Sequence, residues 1–142
     1  MLRHSVSIRP AKLHDLQIVV ELLKELHESS VYNKFVSFNI KEVKETYTRM
    51  LELPFTDALV FVTLVDSRVV GVFAASRMKY LFNSKHWTAI ELAFYILPEH
   101  RNFSSIRLTI KEYFRWAKIN GCKTAVPTKD KARPIPAIAT LF

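Results

Sequence analysis

Apolar positions recur along the chain with two different periods. In "HDLQIVVELLKELHES" (14–29), Leu16, Val19, Val20, Leu23, Leu26 and His27 fall at steps of three and four. That spacing predicts an amphipathic helix with Asp15 near its N-terminus, where the dipole favours a carboxylate. A second, less apolar helix is predicted over "NIKEVKETYTRMLE" (39–52), with Ile40, Val43, Tyr47, Met50 and Leu51 inward, Asn39 as N-cap and Pro54 just past the end. The period then drops to two. "DALVFVTLV" and "RVVGVFAASRM", separated by Asp66-Ser67, read as a β-hairpin. "SVSIR" (5–9), which stops at Pro10, reads as a short first strand.

The second half alternates strand and helix. "KYLFNSKH" (79–86) is predicted as a loop exposing aromatics, and "WTAIELAFYILP" (87–98) as a long central strand apolar on both faces. Ser104 or Ser105 is the expected cap of the next helix, with Ile106, Ile110, Tyr113, Phe114 and Ala117 as its core stripe and Gly121 as its stop. "CKTAV" is a short strand and "PTKDKARPIP" a basic, proline-punctuated loop. "AIATLF" reads as the start of a last helix, with Pro136 in its first turn. The order β-α-α-β-β-β-α-β-α predicts the α/β class: a mixed sheet with helices on both faces. The strand–helix–strand unit 87–126 supplies its parallel pair.

Composition adds bounds. The chain has 142 residues, one domain's worth, and 21 Lys and Arg against 13 Asp and Glu, a surplus that favours anionic partners without choosing among them. No nucleic-acid motif accompanies the charge, and Lys123, Lys129, Lys131 and Arg133 read as a solvated basic stretch. A single cysteine, Cys122, excludes an intrachain disulfide and reads as a small buried hydrophobe. His4, His14, His27, His86 and His100 lack metal-ligand spacing, so no metal is assigned, and His27 reads as a packed residue. No apolar run reaches the roughly 20 residues of a membrane helix, and "MLRHSVSIRP" lacks the apolar core of a signal peptide. The expectation is a cytoplasmic protein with no membrane partner.

Two features carry chemistry. Glu91 lies inside the central strand, and strict alternation puts it on one face with Ala89, Ala93 and Tyr95, opposite Ile90, Leu92, Phe94 and Ile96. A carboxylate among apolar neighbours is a stronger base, although structural ion pairs produce the same pattern. Downstream, "PEHRNFSS" leads a strand end into a helix N-terminus, where backbone N–H groups and the dipole attract phosphate. Arg101, Ser104 and Ser105 add donors; the glycine usual in such loops is absent.

The element order, the glutamate in the fourth strand and Pro-Glu-His-Arg entering a helix together resemble the GNAT superfamily of acyl-CoA N-acyltransferases. "AIELAFYILPEHRNFSSIRLTIKEYFRWAKINGC" is similar to bacteriophage and prophage members in particular. The resemblance implies a single domain over 1–142 that uses acetyl-CoA to acetylate an amine acceptor, small molecule or peptide. Glu91 would be the general base. The backbone of Phe94, Tyr95 and Ile96 would pair with the pantetheine arm, and Arg101, Asn102, Phe103, Ser104, Ser105 and Ile106 would form the pyrophosphate loop. The strand "CKTAV" would splay to open the cleft, and Tyr32, Phe35, Phe38, Tyr80, Phe82 and Trp87 would border the acceptor.

Departures from the family pattern are specific. Its small loop positions are Ser104 and Ile106, the Gly-Gly of the phage type is Asn102-Phe103, Phe142 stands where a tyrosine acid is usual, and the closing strand pair is missing. A thiolate departs with little acid help, so an enzyme remains compatible with the pattern. The alternative is a catalytically degenerate scaffold in the virion or another larger assembly, with the open sheet edge admitting a second copy.

Overall fold

The computed structural model describes residues 5–126 and the backbone of a two-residue strand, Ala139–Thr140. The elements are β1 (Val6–Pro10), α1 (Leu16–Ser29), α2 (Ile40–Glu52), β2 (Ala58–Val65), β3 (Arg68–Tyr80), β4 (Asn83–Ile96), α3 (Phe103–Ile119), β5 (Cys122–Val126) and β6 (Ala139–Thr140). The strands form one sheet in sequence order, antiparallel except for the β4–β5 pair that α3 connects. This is the predicted mixed α/β architecture. The expected last helix is the exception: at Ala139–Thr140 the chain pairs antiparallel with β5 as a strand. Short apolar runs suit either state, and an exposed β5 edge settles this one. Lys129, Lys131, Arg133, Phe142 and His4 lie outside the described residues.

Local chemistry accounts for most boundaries. Asp66 and Ser67 both have positive φ (50° and 69°), the backbone of a two-residue turn whose twist matches the flanking strands. Asn39 caps α2 by accepting the Glu42 N–H at 3.1 Å. Asn102, not Ser104 or Ser105, caps α3: its backbone is extended, and the two serines already lie inside the first turn. Gly121 takes φ +80° to close the helix. Gly71 serves a different need, since a Cβ there would meet the Tyr95 carbonyl and Ile96 Cγ1 at 3.0 Å. The segment predicted as a loop over 79–86 mostly continues β3 and β4 as a hairpin, and its two-residue tip, Leu81-Phe82, is more than 80% exposed (82% and 84%).

Two cores lie on opposite faces of the sheet. On the α3 face, Phe73 stands between Tyr113 (4.8 Å between centroids) and Phe94 (5.5 Å), with Leu59, Phe61 and Trp116 beside them. Trp116 Nε1 donates to the Phe55 carbonyl at 2.6 Å, so its polar edge is satisfied. On the α1–α2 face, Val19, Leu23 and Tyr47 pack on Val62, Val72 and Tyr95. The buried Asp15 does more than face a dipole. Arg9 donates two hydrogen bonds to its carboxylate (2.7 and 3.0 Å), Lys12 N–H a third (2.8 Å), and the Arg9 contact holds Asp15 below the usual carboxylate range. Among the described residues no helix is long and apolar enough to cross a membrane.

Candidate active site

β4 pairs with β5 from Trp87 to Ile90, which stands opposite Val126, the last described residue of β5, and Glu91 follows directly in β4. The same point carries a β-bulge: Ala93 faces Ala74 and Glu91 faces Ala75, so Leu92 is an extra residue in β4. One inserted residue reverses the pleat. Ala89 therefore packs with Phe94 and Ile96 on the α3 face, whereas Ala93 and Tyr95 belong to the α1–α2 face. Uninterrupted alternation from Ala89 to Tyr95 is thus corrected, because the bulge leaves no mark in an apolar run.

Glu91 is 3% exposed and lines a cavity of about 870 Å³ between β4, α1, α2 and the segment joining the helices. Leu23, Leu26, Tyr32, Phe38, Val43 and Tyr47 form much of its wall. Burial pushes the Tyr47 phenol up to about 12, so it stays a neutral hydroxyl across the physiological range. His27 also lines the cavity, with Nε2 2.6 Å from the Val36 carbonyl and its ring 5.7 Å from Phe38. A carbonyl only accepts, so Nε2 carries the hydrogen and the imidazole fastens the 30–39 segment to α1. Glu42, on the first turn of α2, places a second carboxylate on the same cavity.

At the α3 entry most of the expected anion donors already have partners. Ser105 Oγ accepts the Asn102 N–H (3.3 Å), Asn102 Oδ1 accepts the Ser105 N–H (2.9 Å), and the Asn102 carbonyl accepts the Ile106 N–H (3.1 Å). Ser105 is fully buried, and its hydroxyl donates to the His100 carbonyl at 2.8 Å, so it shapes the turn instead of reaching outward. Ile106 turns its side chain into the α3 core. The amides of Phe103 and Ser104 make no hydrogen bond among the described residues. Phe103 is 77% exposed, with the Arg107 guanidinium 5.8 Å from its ring centre, and does not fill the cleft. Arg101 folds back on the strand end, with Nε donating to the Ile96 carbonyl at 2.6 Å and the guanidinium 4.9 Å from the Tyr95 ring centre. Burial first, then the Glu25 carboxylate, raises the Tyr95 phenol above its ordinary value.

The structure brings Glu91, Tyr32 and Phe38 to one cavity and sends the other aromatics elsewhere. Phe35 is 79% exposed, Tyr80 and Phe82 sit at the hairpin tip, and Trp87 is held between Arg77 and Lys79 (4.0 and 3.9 Å to its ring). Arg77 also binds Asp57 (3.1 Å) and the Asn120 carbonyl (2.9 Å), which makes the Trp87 cluster a structural joint. Cys122 is buried, and that burial raises its thiol. Glu42 gave no signal in the sequence, because an acid three residues after an Asn cap is fully explained by capping. Among the described residues no three His, Cys, Asp or Glu converge.

No family profile and no curated protein matches the chain. Solved structures do. An aminoglycoside N-acetyltransferase, AAC(6')-Iy, in complex with CoA has a TM-score of 0.74 at 15% identity, over 92% of this chain and 80% of that one. A transcriptional regulator from Bacillus halodurans C-125 gives 0.72 at 20% identity, over 92% and 85%. Glucosamine-6-phosphate N-acetyltransferase from Arabidopsis thaliana gives 0.69 at 13% identity, over 89% and 84%. The chain has the fold of the GNAT acetyltransferases.

Proposed function

We propose that this protein is an acetyl-CoA-dependent N-acetyltransferase whose acceptor amine enters the cavity beside Glu91. The observation that carries the reading is the coincidence of two features at one point: the bulge at Leu92 and a buried glutamate, Glu91, in the wall of a cavity. In this reading Glu91 takes a proton from the acceptor ammonium, directly or through a water, and so exposes the nitrogen lone pair. Acetyl-CoA supplies the activated acyl group as a thioester. A backbone N–H of β4 beyond the bulge is aimed at the charge that develops on the carbonyl oxygen. The Phe103 and Ser104 amides and the Arg101 guanidinium hold the diphosphate, with Asn102 and Ser105 shaping that turn. The backbone of Phe94, Tyr95 and Ile96 orients the pantetheine arm, and the side chain of Ile106 anchors the helix below. Holding both reactants in one cleft supplies much of the rate without a covalent enzyme intermediate.

Glu91→Gln tests the assignment. Turnover should fall by about 10²-fold or more, as for loss of a general base, while acetyl-CoA affinity by calorimetry changes little. An unaltered rate removes Glu91 from the mechanism. A second reading, a scaffold that keeps the fold without the reaction, such as the virion component that the narrower bacteriophage likeness suggests, is favoured by the three loop amides already bonded within the fold. Acetyl-CoA that fails to bind at millimolar concentration would select it.

A further inference from the structure

The cavity beside Glu91 differs in charge from the rest of the molecule. The chain carries 21 Lys and Arg against 13 Asp and Glu, yet among the described residues no Lys or Arg lines the cavity, and two acidic residues, Glu42 and Glu91, do. Most of the remaining wall is apolar or aromatic, including Leu23, Leu26, Phe38 and Tyr47. Its volume of about 870 Å³ exceeds what an ammonium alone would fill. We propose, resting on the acetyl-transfer reading above, that the acceptor is an amphipathic monoamine: one primary ammonium on an aromatic or branched aliphatic body.

Each alternative class meets a physical obstacle in this wall. A phosphorylated amino sugar brings an anion to a wall whose described residues include two carboxylates and no Lys or Arg, and its hydroxyls would meet a mostly apolar lining in which the Ser29 and Ser30 hydroxyls already donate to backbone carbonyls. A polycation needs several carboxylates, and here one of the two is already required to take the proton. A single ammonium fits both. Glu42 stands exposed on the first turn of α2 and can attract it from water, and the aromatic faces of Tyr32, Phe38 and Tyr47 favour a cation with an apolar body. The neutral Tyr47 hydroxyl is a hydrogen-bond donor in the same wall and adds no charge.

The test uses the full chain and four probes: 2-phenylethylamine, its neutral isostere 2-phenylethanol, spermidine and glucosamine 6-phosphate. Calorimetric titration measures binding of each, and thiol release from acetyl-CoA measures transfer to the three amines. 2-Phenylethylamine should bind, and should exceed spermidine and the sugar phosphate in kcat/KM by at least about tenfold, the scale of one well-placed apolar group. Glu42→Lys should weaken the 2-phenylethylamine complex by about fivefold or more while leaving 2-phenylethanol affinity within about twofold, because only the ammonium feels the reversed charge. Preference for spermidine or the sugar phosphate, equal loss of both phenyl probes in Glu42→Lys, or no binding of 2-phenylethylamine at millimolar concentration overturns the inference. Acetyl-CoA titrated alone decides the underlying reading separately: selective amine binding without acetyl-CoA binding would end the enzymatic reading and leave the cavity's selectivity standing.

Discussion

The two faces of the sheet are built from similar residues and do different work. Against α3, Phe73, Tyr113, Leu59 and Trp116 close into a core with almost no exposure, and the polar groups there are satisfied locally, as Trp116 is by the Phe55 carbonyl. Against α1 and α2, Val19, Val62 and Val72 are equally buried, but the layer stops short and leaves the cavity at Glu91. The helices explain the contrast. α3 lays a continuous stripe, Ile106, Thr109, Ile110, Tyr113, Trp116 and Ala117, along the sheet. On the other side two shorter helices share the task, and the 30–39 segment between them spans the gap with one short 3-10 turn, Val31–Lys34, and extended chain, pinned by His27. A face covered by one element is filled; a face covered by two has a seam, and the seam opens where β4 bulges.

The sharpest way to break this contrast is to hollow out the filled face. Phe73→Ala removes the ring at the centre of the Tyr113–Phe94 cluster and should cost about 3–5 kcal/mol, the range for a buried aromatic replaced by alanine. Urea denaturation should show the midpoint falling with an unchanged slope. An equivalent truncation on the cavity face, Val43→Ala, should cost far less, because that side chain is only partly buried and already borders open space. Comparable losses would mean that both faces are packed alike.

Much of this arrangement could be read in the chain, and the unread parts share a cause. The Asp66-Ser67 hairpin, the Asn39 cap and the Gly121 stop each depend on one or two adjacent residues, and each was legible. Ser104 and Ser105 were expected at the α3 cap because hydroxyls cap well; Asn102 takes the place because the chain is still extended there. The bulge at Leu92 is invisible to periodicity, since an extra apolar residue in an apolar run changes nothing until a partner strand fixes the register. The cavity is harder still. Glu42, His27 and Glu91 are far apart in sequence, and each has an ordinary explanation on its own element: a capping acid, a packed histidine, a charged strand residue. Their meeting is a property of the seam.

Tyr47 sharpens the comparison through pH. It belongs to the cavity face, yet its phenol is buried deeply enough to be pushed from 10.0 to about 12. A raised folded value means that the unfolded chain loses this proton first. The contribution to stability is therefore complete below pH 10 and is lost as pH rises toward 12. Two pKa units correspond to roughly 2–3 kcal/mol at full development. Denaturation at about pH 8 and about pH 11 should show the wild type losing more stability than Tyr47→Phe, which has no phenol to ionise. Tyr95 shifts in the same direction but is present in both proteins, so the difference belongs to Tyr47. Equal losses would mean that the cavity floor is wet and the seam deeper than it is drawn.

The smallest effect is expected where the two faces meet, at the first turn of α3. The helix that fills one face begins there with the Phe103 and Ser104 amides making no hydrogen bond among the described residues, and the Asn102–Ser105 pair holds that turn in place. Asn102→Ala leaves the Ser105 N–H without its acceptor and should lower stability by about 1 kcal/mol, the usual value of an N-cap. Asn102→Ser should recover most of it, because a serine at the cap can accept the same N–H. Ser104→Ala should change stability by less than about 0.5 kcal/mol, since its hydroxyl makes no hydrogen bond among the described residues and the position is exposed. The informative quantity is coenzyme A affinity in the same three variants. If the turn is only a helix cap, Asn102→Ala costs stability and leaves affinity alone. If it also aims two amides at a diphosphate, affinity falls in Asn102→Ala and returns in Asn102→Ser, while Ser104→Ala, which keeps both amides, stays close to the wild type. Only the second pattern ties the filled face to the chemistry of the open one.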